Sequence, residues 1–435
     1  MQSDPATGPV TLEDWLEYQQ RVHPRAIELG VERVREVWQR LGSPAPAPLV
    51  ITIGGTNGKG STVAFLEAIL SAAGQRVGAY TSPHLLSYNE RVRLLGRDAS
   101  DDALVDAFAR IEAARGDIAL TYFEYGTLAA LWIFAHGTLD VALLEVGLGG
   151  RLDAVNIIDA DASIVTTIDL DHQDWLGDDR DSIGREKAGI FRTGRPAIVG
   201  ESEPPAGLLD AARRVGADLR LAARDFHVER AAERRWRWRA GSVELVLPLP
   251  QLVAPAQLAN AAAAIAALHA LRARVAWDPA AIAAGVSDAR IGARLQTFGD
   301  DPLLIVDVAH NPQAARVLAD WLRAAPANGR TLAVFGALGD KDVGGIVAAL
   351  ASAIDLWFLG GLGRESPRGL GVEALAWLAV PPLAHAQIIA HEHVDAALAV
   401  AWDFARRGDR VIAFGSFFVA AAALQFARAH GLATR

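Results

Sequence analysis

The chain contains only three lysines, Lys59, Lys187 and Lys341, against 39 arginines. Each lysine lies in a segment rich in glycine or aspartate. An arginine side chain is a wide, permanently charged fork, whereas a lysine is a slim point charge that can reach into a phosphate-binding loop or lose its proton and react as an amine. The lysines therefore mark candidate sites. The alternative is that three lysines remain by chance in a chain whose composition favours arginine.

Lys59 lies in the most specific of these segments, the glycine-rich run of residues 54–62 between an apolar stretch and a helical pattern. Glycines let backbone N–H groups approach phosphate oxygens, the helix N-terminus adds positive charge, and the lysine reaches the outer phosphates. The spacing departs from G-x-x-x-x-G-K-[ST], because Gly60 stands between Lys59 and Ser61. The loop predicts a set of ATP contacts: Thr56, Asn57, Gly58, Lys59, Gly60 and Ser61.

The elements that would hold such a loop alternate between strand and helix patterns. Residues 12–41 have helical spacing, 49–53 form an apolar strand, and a helix follows the loop to residue 70. Alternation of this kind is typical of a mostly parallel sheet covered by helices. Further strands are predicted at residues 77–80, 141–145, 163–168, 197–199, 303–308, 331–335, 356–359, 387–390 and 411–414, with helices at 125–135 and 256–271 and a hairpin near 234–249.

The fold class predicted is α/β, with two domains, since the length exceeds that of a single core. Residues 1–295 would form an N-terminal P-loop ATPase domain with a mostly parallel sheet. Residues 296–435 would form a smaller, Rossmann-like C-terminal α/β domain that closes over ATP.

Composition excludes several classes of protein. The net charge is −9 and no long basic run occurs, so nucleic acid is not an expected partner. The absence of cysteine excludes disulfides and thiolate catalysis and fits a reducing compartment. Residues 1–14 lack the pattern of a signal peptide, and the longest apolar run, 411–424, is shorter than the ~18 residues of a bilayer span. We expect a cytoplasmic monomer that acts on small molecules and not at a membrane.

The G-T-N-G-K-G-S form of residues 55–61 resembles the P-loop of the Mur-ligase superfamily, and in particular of the folylpolyglutamate synthase/dihydrofolate synthase family. Eight further motifs resemble that family in the same order. One departure occurs at Ala293, where the family usually has Gly before the arginine Arg294. The motifs are TSPHLLSYNERVR (81–93), TYFEY (121–125), EVGLGGRLDA (145–154), DHQDWLG (171–177), REKAGI (185–190), DVAHNP (307–312), GALGDKD (336–342) and FGS (414–416).

The resemblance implies an ATP-dependent amide ligase that joins L-glutamate to dihydropteroate and to tetrahydrofolate polyglutamates through an acyl phosphate. A carboxylate that approaches an anionic γ-phosphate needs cations between the two. By resemblance, Ser82, Glu145 and His172 are the metal ligands, together with the hydroxyl of Ser61, and two Mg²⁺ sites are expected. From the residues alone, Glu145 could be a helix cap and His172 a surface or core histidine.

Lys187 corresponds to a lysine that reacts with CO₂ in this family and forms a carbamate. That chemistry needs a neutral amine, so burial or a nearby metal charge should lower its pKa. The alternative is an ordinary surface pair with Glu186. Lys341 could face the nucleotide or lie in a solvated turn. The predicted catalytic residues are Lys59, Glu145, His172 and Lys187.

The remaining site residues follow the family motifs. Asp153 would hydrogen-bond to the amino and ring N–H groups of a pterin, and an aromatic pair would stack on it, although that pair could also be core. Asn260 could instead be a polar residue on an exposed helix face. On the ATP side the resemblance implies Asn260, Arg294, Asp307 and His310. On the pterin side it implies Thr121, Tyr122, Phe123, Leu152, Asp153 and Ala154.

Three other functions remain for comparison. A Mur ligase of cell-wall synthesis carries a UDP-sugar domain ahead of its loop, whereas this loop starts at residue 54. A dinucleotide-dependent oxidoreductase needs G-x-G-x-x-G after its first strand, which residues 147–152 do not supply. A nucleotide-gated switch would not explain Glu145, His172 and Lys187. A folylpolyglutamate synthase without the second activity stays the nearest alternative, and a Mur-type muropeptide ligase a more distant one.

Overall fold

The computed structural model describes residues 8–23, 25, 27–383 and 387–435. Residues 1–7, part of the stretch used to argue against a signal peptide, lie outside this part. The chain divides into two compact units. The first runs up to Gln251 and includes Leu258–Ala289; the second comprises Leu252–Gln257 and Arg290–Arg435. The boundary at residues 295 and 296 remains a prediction.

The first unit is built on an eight-stranded sheet of order β4-β3-β2-β5-β1-β6-β7-β8. Its elements, in chain order, are α1 (Leu12–Val22), α2 (Glu32–Arg40), β1 (Leu49–Gly54), α3 (Lys59–Ala72), β2 (Val77–Tyr80), β3 (Val92–Leu94), β4 (Arg97–Asp98), α4 (Asp101–Arg115), α5 (Tyr122–Ala135), β5 (Val141–Glu145), β6 (Ala162–Val165), α6 (Gln173–Leu176), α7 (Arg180–Lys187), β7 (Pro196–Val199), α8 (Ala206–Val215), β8 (Asp218–Leu221), β9 (His227–Arg230), β10 (Arg235–Ala240), β11 (Val243–Pro248), α9 (Ala256–Ala270) and α10 (Pro279–Asp288).

The sheet is parallel from β2 through β8, and only β3 runs the other way, pairing antiparallel with both β2 and β4. All six residues of β1 are buried, as expected for a central parallel strand covered on both faces. The carboxyl ends of β1, β2, β5 and β6 therefore meet at one edge. Ligands of open α/β sheets bind at that edge.

Two helices replace the single one that the spacing of residues 12–41 suggested. α1 ends at Val22 and α2 begins at Glu32. Pro24 stands between them in the sequence, and the residue before a proline is disfavoured in helical conformation. The helical spacing of apolar residues continues between the two helices, but the first helix itself ends at Val22.

The hairpin predicted near residues 234–249 is formed by β10 and β11, with β9 added on the other side of β10. Trp236 and Trp238 alternate with arginines along β10 and are fully buried. This small sheet therefore has one apolar face and one charged face.

The second unit has a six-stranded sheet of order β12-β13-β17-β14-β15-β16, in which only β12 is antiparallel. No helix in either unit, within the residues described, is long and apolar enough to span a membrane. The elements are β12 (Gln296–Phe298), β13 (Leu303–Val306), α11 (Pro312–Ala324), β14 (Thr331–Phe335), α12 (Val343–Leu350), β15 (Leu356–Gly360), α13 (Val372–Ala379), β16 (Gln387–His391), α14 (Val394–Phe404), β17 (Arg410–Phe414) and α15 (Phe417–Ala429).

Candidate active site

The glycine-rich loop after β1 is closely packed. A Cβ atom on Gly55 would lie 1.9 Å from Thr166 Oγ1, and one on Gly58 would lie 2.4 Å from Asn260 Oδ1. Both glycines also have positive φ, +141° and +89°. Asn260 is 5% exposed and lies against the loop, so it is not on an exposed helix face.

Hydrogen bonds tie the loop to the segment that follows β6. The backbone N–H of Thr56 donates to the carbonyl of Thr167 at 2.7 Å, and the backbone N–H of Asn57 donates to Thr167 Oγ1 at 3.0 Å. The N–H of Asp169 donates to Thr56 Oγ1 at 3.1 Å. The loop is thereby held in a fixed shape before any phosphate binds.

Lys59 is the first residue of α3, and its side chain folds back over the loop. Its Nζ donates to the carbonyls of Gly55 at 2.9 Å and Thr56 at 3.1 Å. Ser61, two residues along α3, is 1% exposed. An ammonium group, a hydroxyl and a helix N-terminus therefore lie within one turn, which is the donor set of a phosphate-binding loop.

Glu145 and Ser82 lie side by side where β5 and β2 end. β1 pairs with β5 so that Ile53 is opposite Glu145, and β2 flanks β5 on its other side. The backbone N–H of Ser82 donates to Glu145 Oε2 at 3.2 Å, and Glu145 is 4% exposed. Glu145 is the last residue of β5, so its position in the chain is a strand end and not a helix N-cap. A buried carboxylate beside a serine fits the hard oxygen ligands that Mg²⁺ prefers.

His172 follows Asp171 at the start of α6 and has φ of +52°, a left-handed conformation that is uncommon outside glycine. Its side chain is 29% exposed, with Nε2 3.9 Å from Asp171 Oδ1. The segment it belongs to is the one that anchors the P-loop. Strained backbone of this kind occurs often at functional sites.

In the described part of the chain, no three side chains of His, Cys, Asp or Glu are grouped so as to hold a metal ion. The predicted ligand set contains only two residues of those types, Glu145 and His172, and takes its other oxygens from Ser61 and Ser82. The set as a whole stays a prediction.

Lys187 is the last residue of α7 and is 4% exposed. Its pKa is lowered to about 7, mainly by burial and also by the Lys59 ammonium, while Asp171 and Asp153 act in the opposite direction. Glu186 does not pair with it but forms an ion pair with Arg151 at 3.0 Å. The alternative of a Glu186–Lys187 surface pair is therefore wrong.

The residues predicted for pterin recognition surround the N-terminus of α5. Thr121 caps the helix together with Glu124, which also accepts a hydrogen bond from Arg33 at 2.8 Å. Phe123 packs over Gly147, where a Cβ would lie 2.5 Å from the ring. Tyr122 makes an edge-on contact with another tyrosine, Tyr88, at 5.6 Å.

Asp153 also has a structural function. Its Oδ2 accepts from the backbone N–H of Leu148 at 2.8 Å and its Oδ1 from that of Val155 at 3.1 Å, so it caps the short helix that begins at Ala154. Burial raises the pKa of Asp153 to about 6, although the backbone donors lower it. The carbonyl of Leu152 accepts from Gly30 at 3.1 Å.

In the second unit, Asp307 follows β13 and accepts backbone hydrogen bonds from Leu295 at 2.9 Å and Ala309 at 2.8 Å. Burial raises its pKa, and the charge of Arg294 lowers it. The Arg294 guanidinium and the His310 ring both lie beside Phe417, at 5.6 and 6.1 Å. The three residues predicted to face ATP from this unit therefore cluster.

Ala293, the one departure from the motifs of the resemblance, has a left-handed backbone. Its φ is +54°, a conformation that costs roughly 1 kcal/mol for a residue with a Cβ. Lys341 has a side chain only 6% exposed and lies 3.7 Å from Asp340, whose carboxylate also pairs with Arg368 at 2.7 Å. Lys341 is thus not in a solvated turn.

Comparison with known proteins identifies the relatives. A model described as "Mur ligase, glutamate ligase domain" matches residues 293–417. A dihydrofolate synthase/folylpolyglutamate synthase of Escherichia coli is 48% identical over 94% of this chain and 94% of its own length. The chain belongs to the dihydrofolate synthase/folylpolyglutamate synthase family. The Haemophilus influenzae member is 39% identical over 96% of this chain and 97% of its own.

Solved structures of the family have the same fold. The E. coli enzyme in complex with DHPP and ADP superposes with a TM-score of 0.91 at 46% identity, covering 98% of this chain and 99% of that one. A bifunctional member with Mn, AMPPNP and L-glutamate bound has a TM-score of 0.88 at 45% identity, with 98% and 99% covered. The family and the two-unit α/β fold predicted from sequence are confirmed.

Sequence reasoning missed the residues that support the family's P-loop in this chain. Thr166, Thr167 and Asp169 hold the loop, and Asp171 interacts with both His172 and Lys187. Their signal was present, because residues 166–172 place five hydroxyl, carboxylate or imidazole side chains directly after a buried strand. Only the pairing of β1 with β6 in the sheet shows that these side chains lie beside the glycine-rich loop.

Proposed function

We propose that the protein is an ATP-dependent ligase that adds L-glutamate to dihydropteroate, giving dihydrofolate, and to tetrahydrofolate polyglutamates. The observation that carries the proposal is the meeting of the P-loop with the Glu145–Ser82 pair at one sheet edge, in a chain 48% identical to a bifunctional family member. That arrangement suits a reaction in which a carboxylate must approach a phosphate.

In this proposal the loop N–H groups and Lys59 bind the ATP phosphates, with Asn260 on the adenine side and Arg294, Asp307 and His310 contributing from the second unit. Ser61, Ser82, Glu145 and His172 would hold two Mg²⁺ ions. When bound, Mg²⁺ supplies positive charge between the γ-phosphate and the acceptor carboxylate. Transfer of the phosphoryl group gives an acyl phosphate, and the glutamate amine then displaces phosphate to form the amide.

Lys187 contributes a carbamate in the same proposal. The ammonium first loses a proton, and the neutral amine then adds to CO₂, forming an N–C bond and releasing a second proton, so that a cation becomes an anion. Burial and the neighbouring Lys59 favour the neutral amine near pH 7. Arginine has no such chemistry, because its guanidinium stays protonated.

Tyr122 and Phe123 would stack on the pterin, with Asp153 at its amino edge and Thr121, Leu152 and Ala154 around it. The support is their grouping at the start of α5 and beside Gly147, next to the strand end that carries Glu145. A monomer in the cytoplasm, with no nucleic acid or membrane partner, remains our expectation from the sequence.

The decisive assay incubates the protein with ATP, Mg²⁺, glutamate and either dihydropteroate or tetrahydrofolate and weighs the products. We expect one glutamyl unit per ADP formed with each acceptor. ATP cleavage without acceptor and glutamate, or ligation of a UDP-muramyl acceptor, would contradict the proposal. Product from tetrahydrofolate alone would reduce it to a folylpolyglutamate synthase.

A matched variant is Glu145→Gln, which keeps the shape of the side chain and its contact with the Ser82 N–H but removes the charge. We expect it to fold normally and to lose at least 100-fold in kcat, an effect of about 3 kcal/mol on the barrier. Full activity in this variant would remove Glu145 from the proposed metal site.

A further inference from the structure

Arg91 carries a buried positive charge that no carboxylate neutralises among the described residues. The residue is 8% exposed and lies just before β3. Its guanidinium stacks over the rings of Tyr88 at 5.3 Å and Tyr122 at 5.5 Å. An enclosed charge of this kind is costly unless another group completes its hydrogen bonds.

Besides these two ring contacts, the guanidinium makes one hydrogen bond to a described residue. Its Nε donates to Nδ1 of His84 at 2.9 Å. His84 must accept this bond, so its ring is neutral with the proton on Nε2. Neither terminal nitrogen of Arg91 hydrogen-bonds to another described residue. The two terminal N–H groups form a planar fork whose direction is set by the Nε contact.

This fork lies among the residues proposed to bind the pterin. Tyr122 is in contact with it, and Tyr80 packs against Phe123 with ring centroids 6.0 Å apart. The charges of Arg91 and Asp153 both act on the Tyr80 hydroxyl, in opposite directions: Arg91 lowers its pKa and Asp153 raises it. The hydroxyl of Tyr88 beside Arg91 is also buried without a hydrogen-bonding partner in the described residues.

We infer that Arg91 binds the pterin edge formed by the 4-carbonyl oxygen and ring nitrogen N5, next to the amino and ring N–H edge assigned to Asp153. The inference rests on the proposed function and deepens it. Arginine reads the equivalent pair of acceptors on guanine, O6 and N7, with a bidentate fork. In a 7,8-dihydropterin N5 is an imine nitrogen that accepts a hydrogen bond, whereas in a tetrahydropterin N5 carries a hydrogen. Arg91 is then a specificity residue that favours the dihydro acceptor.

The test compares two ligands on the full chain without ATP. Binding of dihydropteroate and of tetrahydropteroate is measured by calorimetry for wild type, Arg91→Lys and Arg91→Met. We expect both variants to lose at least tenfold in affinity for dihydropteroate and less than threefold for tetrahydropteroate. The lysine keeps the charge but not the fork. Equal losses for the two ligands, or wild-type affinity in Arg91→Lys, would overturn the inference.

Arg93→Lys is the matched control, because Arg93 is two residues away but already pairs with Glu67 at 2.9 Å. It should leave both affinities unchanged. If Arg91→Met does not fold, as judged by its thermal melt, Arg91→Lys decides alone. A wild type that binds neither ligand contradicts the proposed function itself, whereas normal binding with unaffected Arg91 variants removes only the Arg91 inference.

Discussion

The ε-amino group of Lys187 is enclosed by protein and has the Lys59 ammonium as a neighbour. Both conditions disfavour its charged form, since burial removes water and a like charge repels. In a chain with 39 arginines, the lysine at this position can lose its proton and react as an amine, which an arginine cannot do. Its chemistry therefore depends on pH.

The first prediction concerns carbamate formation. Enzyme prepared without CO₂ should regain activity on addition of bicarbonate, and faster at pH 8 than at pH 6, because the amine with a pKa of about 7 is mostly neutral only at the higher pH. The rate of reactivation is followed by dihydrofolate formation, with a mass shift of one CO₂ sought in the native protein. Lys187→Arg should show no reactivation; activity independent of CO₂ would contradict the carbamate.

The second prediction concerns stability. The pKa of Lys187 is about 7 in the folded protein and 10.5 for an unperturbed lysine, as in the unfolded chain, so the unfolded chain binds more protons between these values. The free energy of unfolding should therefore rise with pH across that window relative to Lys187→Met. Urea unfolding in CO₂-free buffer at pH 6.5 and pH 9 measures the difference. A constant difference between the two proteins would show that the amine is not desolvated.

At the scale of elements, the junction of β1 and α3 is where local geometry and ligand binding coincide. Gly58 is the N-cap of α3, with a left-handed backbone and Asn260 directly above it. A side chain here would meet both a conformational penalty and a steric one.

The third prediction separates these two penalties. Gly58→Ala should raise the KM for ATP at least tenfold, because the methyl group would displace Asn260 and reshape the loop. Gly74→Ala is the control: Gly74 also has positive φ, +77°, but nothing lies within 4 Å of its Cβ position. It should lower stability by roughly 1 kcal/mol without changing the KM for ATP. Equal KM values in both variants would argue against the packed loop.

The fourth prediction concerns the capping box of α5. Thr121→Ala should lower the free energy of unfolding by about 1 kcal/mol, because Oγ1 of Thr121 accepts from the N–H of Glu124. Thr121→Ser keeps that oxygen and should restore most of the loss. Chemical denaturation measures both. If Thr121 also contacts substrate, the alanine variant should in addition raise the KM for dihydropteroate.

At the scale of the whole molecule, each unit has its own hydrophobic core. One is gathered around the eight-stranded sheet of the first unit, and another packs on the sheet of the second. Each core is built from its own unit's elements, as expected for two domains that could fold separately. The division of catalytic roles between the units remains part of our proposal.

The fifth prediction is the oligomeric state. The protein should be a monomer, with a mass of 46.2 kDa in light scattering at micromolar concentration. All proposed site residues come from one chain, so dilution should leave specific activity unchanged. A concentration-dependent activity together with a doubled mass would contradict this.

The amino-acid sequence by itself determined the α/β class, the P-loop and the family, because buried parallel strands are continuous apolar runs and the motifs are local in sequence. It could not decide which distant residues meet. Only the tertiary structure pairs Ser82 with Glu145 and places Asn260 against Gly58. It also shows that Glu186 forms its ion pair with Arg151 and not with Lys187. The physical reason is that the order of strands in the sheet decides which strand ends are neighbours, and burial decides which charged groups remain hydrated. The lowered pKa of Lys187 follows from that burial and from no pattern in the sequence.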